Sequence, residues 1–146
     1  MDEKEIERII RDFVDSLEKK DIDRSISFFT EDATWFTTQG TFKGKEEIKR
    51  YVAWMSKSLT GLKFTDDGVA IIVAGNKAVY QSIFDSTYEG IKIRVSSVCT
   101  YEFSGEKIKN HWIINDRLSM AKQAATGPIA RKAVNTIVAR MEKGLH

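Results

Sequence analysis

The residue best suited to chemistry in this chain is an acid that closes an apolar stretch, Asp116 in the segment HWIINDRLSM. Three two-residue turns, Gly75-Asn76, Glu89-Gly90 and Gly105-Glu106, punctuate the second half of the chain. Such turns fix strand register, and register decides which side chains share a face. Counting outward from the first two turns sets Val73 opposite Ala78, Ile71 opposite Tyr80, Ser82 opposite Ser97 and Phe84 opposite Val95. The third turn predicts Asp116 opposite Val95, Ile114 opposite Ser97 and Trp112 opposite Cys99. Asp116 would then stand among Phe84, Val95 and Ile114. A carboxylate in that company is costly unless it is hydrogen-bonded or protonated. Desolvation raises its pKa toward the working range of a general acid or base. Read structurally, the same residue is a strand-end carboxylate that accepts backbone hydrogen bonds and stops the sheet.

The face shared with Asp116 supplies possible helpers. Tyr80, Ser97 or Tyr101 would polarise or orient a ligand carbonyl, and Trp35, Tyr51, Trp54, Phe84 and Trp112 would line an aromatic pocket or serve as core. Ser82 and Ser97 share a row and would bond a ligand or each other. The opposite face carries Gln81, Asp85, Lys92, Arg94, Glu102, His111 and Asn115, mixed with Val79, Ile83, Val98 and Ile113. It is expected to be wet or to form a homodimer interface. Cys99, mid-strand between aromatics, reads as a buried, inert thiol.

Other chemistries find no support. One cysteine and two histidines, His111 and His146, lie far apart and offer no metal-ligand spacing. No G-x-S-x-G, Walker or dinucleotide motif occurs, so no cofactor is expected. The pairs Glu31-Asp32 and Asp66-Asp67 fall in expected turns, where adjacent acids are solvated.

These side chains need elements to hold them. Ile6, Ile9, Ile10, Phe13, Val14 and Leu17 recur at helical spacing behind Asp2, with Glu5 placed for a capping box. Asp21 caps a second short helix with Ile22, Ile26 and Phe29 inward. Ala33–Phe36 is a short strand, followed by a loop marked by Gly40 and Gly44. Ile48, Tyr51, Val52, Met55 and Leu59 define a third helix ending near Gly61. Leu62–Ala74, Lys77–Tyr88, Ile91–Ser104 and Lys107–Ser119 are β-branched and aromatic segments that predict a four-strand meander. A last helix is expected behind Thr126 and Pro128, with Ala130, Ala133, Val134, Ile137, Val138 and Met141 as its stripe.

The chain has 146 residues and a net charge of +2, with Lys and Arg dispersed rather than gathered in a stripe. That argues against a nucleic-acid partner. No apolar stretch approaches the ~20 residues of a membrane span. The charged start, MDEKEIERII, lacks the apolar run of a signal peptide. A single cysteine excludes an intrachain disulfide and predicts a reducing, cytoplasmic setting.

The order helix, helix, strand, helix, meander resembles the nuclear transport factor 2-like superfamily, and within it the SnoaL-like polyketide cyclase group. The segments that carry the resemblance are FVDSLEKKDIDRSISFFTEDATWF, GTFKGKEEIKRYVAWM and HWIINDRLSMAKQ, within residues 5–125. It implies an α+β cone, a strongly curved and mostly antiparallel sheet covered by three N-terminal helices. Residues 1–125 would form that domain, and 126–146 a C-terminal helical extension that caps the pocket or packs on a second subunit. The group commonly ends its sheet with a Trp, an Asp four residues on, then a Leu and a Gln, here Trp112, Asp116, Leu118 and Gln123. In its cyclases that Asp is the acid–base residue of an aldol-type ring closure. The resemblance thus implies a cofactor-independent cyclase, isomerase or dehydratase acting on a small, apolar carbonyl compound, with Asp116 catalytic. The alternative is a non-catalytic ligand-binding or dimerisation module. Trp35–Thr38 lacks the acid that ketosteroid isomerases of this fold use as base, and AATGP departs from the Leu-Gly usual after the Gln.

Overall fold

A computed structural model describes residues 1–146. The elements run α1 (Glu3–Glu18), α2 (Ile22–Ser27), β1 (Phe29–Thr37), β2 (Gly40–Lys43), α3 (Lys45–Ser58), β3 (Leu59–Ala74), β4 (Lys77–Tyr88), β5 (Ile91–Ser104), β6 (Lys107–Asn115), α4 (Arg117–Ala124) and α5 (Pro128–Met141). The six strands form one curved, open sheet in the order β2-β1-β6-β5-β4-β3. Only the β1–β6 pair is parallel. This is the α+β architecture expected from the sequence.

Local chemistry accounts for the ends of the elements. An Asp2 carboxylate oxygen accepts from Glu5 N at 2.8 Å, and a Glu5 oxygen accepts from Asp2 N at 3.0 Å, the reciprocal box foreseen for α1. The α1 stripe, Ile6 to Leu17, is buried against the concave side of the sheet. Phe13 meets Phe28, Phe29, Trp35, Tyr101 and His111 edge-on. Asp21 caps α2 by accepting from Arg24 N at 3.1 Å.

Several boundaries differ from expectation. Gly40–Lys43 is a strand, not a loop, because it forms a hairpin with β1 across Thr38-Gln39. The third helix stops at Ser58, since Leu59 is extended and pairs with Tyr88. α5 starts behind Gly127 with no side-chain cap, so Thr126 does not serve. Asp66 is also corrected. It lies in β3, where both carboxylate oxygens accept from the Arg11 guanidinium and Oδ1 accepts from Tyr80 Oη at 2.9 Å.

Curvature comes from bulges. β3 slips relative to β4 between Thr60 and Lys63, and again between Asp66 and Ile71. Gly68 makes the second slip possible. Its φ is +53°, and a Cβ there would sit 2.4 Å from the Gln81 amide oxygen.

The β3–β4 register next to the turn, and the whole β4–β5 register, match the counting from turns. The β5–β6 register does not. Ser104 pairs with Lys107 and Phe103 with Ile108, but Glu102 then pairs with Asn110, leaving Lys109 as an extra residue. Every later side chain of β6 changes face. His111, Ile113 and Asn115 turn inward; Trp112 and Ile114 turn outward. Trp112 stacks on Phe36 with ring centroids 4.9 Å apart. The bulge keeps both Ile108 and His111, three residues apart, in the core. α4 then begins where the last strand was expected to continue to Ser119.

Candidate functional site

A cavity of about 360 Å³ opens between the concave end of the sheet, α3 and α4. Thr38 and Gln39 come from the β1–β2 turn, and Tyr51, Trp54 and Met55 from α3. Leu59, Phe84, Ser86, Tyr88, Ile91, Ile93, Ile113 and Asn115 come from the sheet, and Met120, Ala121 and Ala124 from α4. Twelve of these sixteen residues are hydrophobic, and none is Asp, Glu, Lys, Arg or His. The wall therefore suits an apolar, uncharged guest.

Each side chain is positioned by the fold beneath it. Tyr51 projects from α3 toward the β1–β2 turn, where its hydroxyl donates to Gln39 Oε1 at 2.9 Å. Burial pushes its pKa up to about 12, so the phenol stays protonated and acts as a donor. Its ring stacks on Trp54, centroids 5.9 Å apart, and Trp54 meets Tyr88 at 6.4 Å. Met55 and Phe84 are buried beside them.

α4 forms the last wall and is attached by polar side chains. Asp116 is its N-cap, with Oδ1 accepting from Ser119 N at 2.9 Å. Gln123 reaches the free edge of β5 beyond the end of β6. Its Oε1 accepts from Arg94 N at 2.8 Å and its Nε2 donates to Arg94 O at 2.9 Å. One amide thus continues the ladder that β6 leaves unfinished. The Asp and the Gln of the terminal motif are the two fastenings of this helix.

The expected placement of Asp116 is corrected on these grounds. The extra residue Lys109 removes it from the position opposite Val95. It is exposed, its carboxylate is engaged by the helix start, and it does not line the cavity.

Of the other residues singled out in the sequence, Tyr51, Trp54 and Phe84 line the cavity. Trp35, Tyr80, Ser97 and Tyr101 are inward but lie in the core behind it. Trp112 is on the far face, among Ile72 and Val79. Tyr80 is tied to Asp66, and Tyr101 stacks on His111 at 4.3 Å, so the proposed carbonyl helpers are not gathered around Asp116.

His111, expected outside, is 1% exposed. Its Nδ1–H donates to the Thr100 carbonyl at 3.0 Å, and burial drives its pKa down to about 3. Cys99 is likewise enclosed, its thiol pushed up to about 12 by burial.

Asn115, Ser86, Tyr88, Gln39 and the α4 residues were not recognised from sequence. Ser86 and Tyr88 continue the alternation of Phe84 and could have been read by extending it. Asn115 was hidden by the bulge. α4 has almost no amphipathic pattern, so nothing in its spacing marks it. No cluster of three or more His, Cys, Asp or Glu is placed to hold a metal ion, and no helix is long and apolar enough to cross a membrane.

The SnoaL-like domain model matches residues 10–111. Solved structures superpose over most of their length. A Catenulispora acidiphila protein with a ketosteroid isomerase-like fold, in complex with trimethylamine, has 16% identity and a TM-score of 0.73, covering 82% of this chain and 93% of its own. A protein from Silicibacter named as a candidate polyketide cyclase has 17% identity and a TM-score of 0.74, with 83% and 96% covered. An NTF2-like protein of unknown function from Burkholderia pseudomallei has 14% identity and a TM-score of 0.74, with 84% and 98% covered. No curated protein matches the sequence.

Proposed function

This chain belongs to the SnoaL-like domain family, and from that premise we propose that it binds a small, neutral, largely apolar molecule in the cavity between α3, α4 and the sheet. The observation that carries this reading is the lining itself: about 360 Å³ with no charged side chain among sixteen residues. That volume lies near the lower end of the ~300–1,000 Å³ typical of small-molecule sites.

A cyclase, isomerase or dehydratase step would require a proton carrier at the guest. The titratable groups of the wall are Tyr51 and Tyr88. Tyr51, protonated up to about 12, is a donor and not a base. Asp116 is occupied in capping α4. The binding function is therefore favoured over acid–base catalysis. A reducing, cytoplasmic setting fits the buried free thiol of Cys99. A second copy is proposed to cover the convex face, where Ile72 is 51% and Ile114 62% exposed.

The test is titration with N-phenyl-1-naphthylamine, a neutral probe that fluoresces in apolar sites. The expected result is saturable one-to-one binding, weakened at least tenfold by Ala121→Trp, which fills the cavity from α4. No saturable binding, or binding that ignores the filled cavity, would overturn the reading.

A further inference from the structure

We infer that the guest is an alcohol or phenol whose hydroxyl is met by the side-chain amide of Asn115, an inference that rests on the small-molecule reading above. The register brings Ser82, Ser97 and Asn115 into one row across β4, β5 and β6, on the concave face. These are polar side chains where neighbouring rows carry Tyr80, Phe84, Val95 and Ile113. Ser82 is fully buried, and its Oγ has no hydrogen-bond partner. Ser97 is 1% exposed and reaches only Cys99 Sγ, at 3.9 Å. Asn115, at the cavity end of the row, lines the wall, and its buried Oδ1 has no donor.

An unpaired buried acceptor is destabilising, because it has given up its water without gaining a donor. A valine or leucine at position 115 would avoid that cost in a wall that is otherwise apolar. The amide turns about its last side-chain bond, which exchanges its two ends. A guest at this point meets whichever end of the amide is turned toward it, acceptor or donor. A hydroxyl pairs with either end; an ether or ketone pairs only with the donor. A carboxylate or ammonium group is disfavoured, because no opposite charge lines the cavity. A site that hydrogen-bonds a ligand hydroxyl rejects the analogue lacking it, since the polar group is then left unpaired.

Matched probes separate the possibilities. 2-Naphthol, 2-methoxynaphthalene and 2-naphthoate share one ring system and differ in a single group. Affinities are measured by fluorescence for the wild type and Asn115→Leu, with the Asn115 side-chain amide resonance followed by NMR. The expected order is 2-naphthol at least tenfold tighter than 2-methoxynaphthalene, with naphthoate weakest. Asn115→Leu should erase the naphthol preference, bringing the two affinities within about twofold of each other, and in the wild type the Asn115 amide resonance should shift with naphthol. Equal wild-type affinity for naphthol and methoxynaphthalene would overturn this inference alone. Failure of both to bind would overturn the cavity reading, and this inference with it.

Discussion

His111 gives the clearest quantitative expectation. Its ring is sealed against Tyr101, Trp35 and Phe13, its Nδ1–H is committed to Thr100 O, and its pKa in the fold is about 3 against an ordinary 6.5. Between those values the unfolded chain takes up a proton that the native state refuses. Where the unfolded state binds more protons, stability rises with pH. The fold therefore weakens as pH falls from about 6.5 toward 3, and gains nothing further above 7. One proton per pH unit corresponds to about 1.36 kcal/mol, so the loss between pH 7 and pH 4.5 is on the order of 2–3 kcal/mol. Carboxylates that arginines hold low, Asp15 beside Arg24 and Asp66 beside Arg11, lose their contribution as pH falls through the carboxylate range, mostly below about pH 4.5. Urea midpoints from pH 7 to 4.5 measure the effect. With a urea slope of about 1–3 kcal/mol per molar, the wild-type midpoint should fall by roughly 1–3 M. His111→Gln, which cannot titrate, should start lower and lose much less over the same range. A flat wild-type profile, or an equal slope in the variant, would refute the buried neutral imidazole.

Two further expectations concern the fastenings and the convex face. Asp116→Ala should lower stability by about 1 kcal/mol through loss of the α4 cap, a fall in Tm of about 3–4 °C; calorimetry checks it, and an unchanged Tm would leave the capping role without support. Ile114→Glu should convert a dimer to a monomer in sedimentation equilibrium, and a monomeric wild type would remove the proposal of a second copy.

The turns made most of the sheet legible, because glycine-containing two-residue connections fix pairing over many residues. What escaped were the bulges, above all the one at Lys109. Lys109 carries no glycine or proline to announce it, so counting outward from Gly105-Glu106 put Trp112 and Ile114 inside. The outer face is apolar enough to accept the stacked Trp112 instead. The same slip concealed Asn115 and promoted Asp116. The aromatic residues of α3 were readable because a helix stripe needs no register. α4 was not, since an eight-residue helix held by side-chain to backbone bonds needs no apolar stripe.

The attachment of α4 separates what holds the cavity from what shapes it. Met120, Ala121 and Ala124 face the cavity, whereas Asp116 and Gln123 grip the scaffold. Substitutions at the first three positions reshape the cavity while every strand pairing stays as it is. In an evolving lineage this helix is an exchangeable panel, on which the shape of the cavity can change without renegotiating the folding of the sheet.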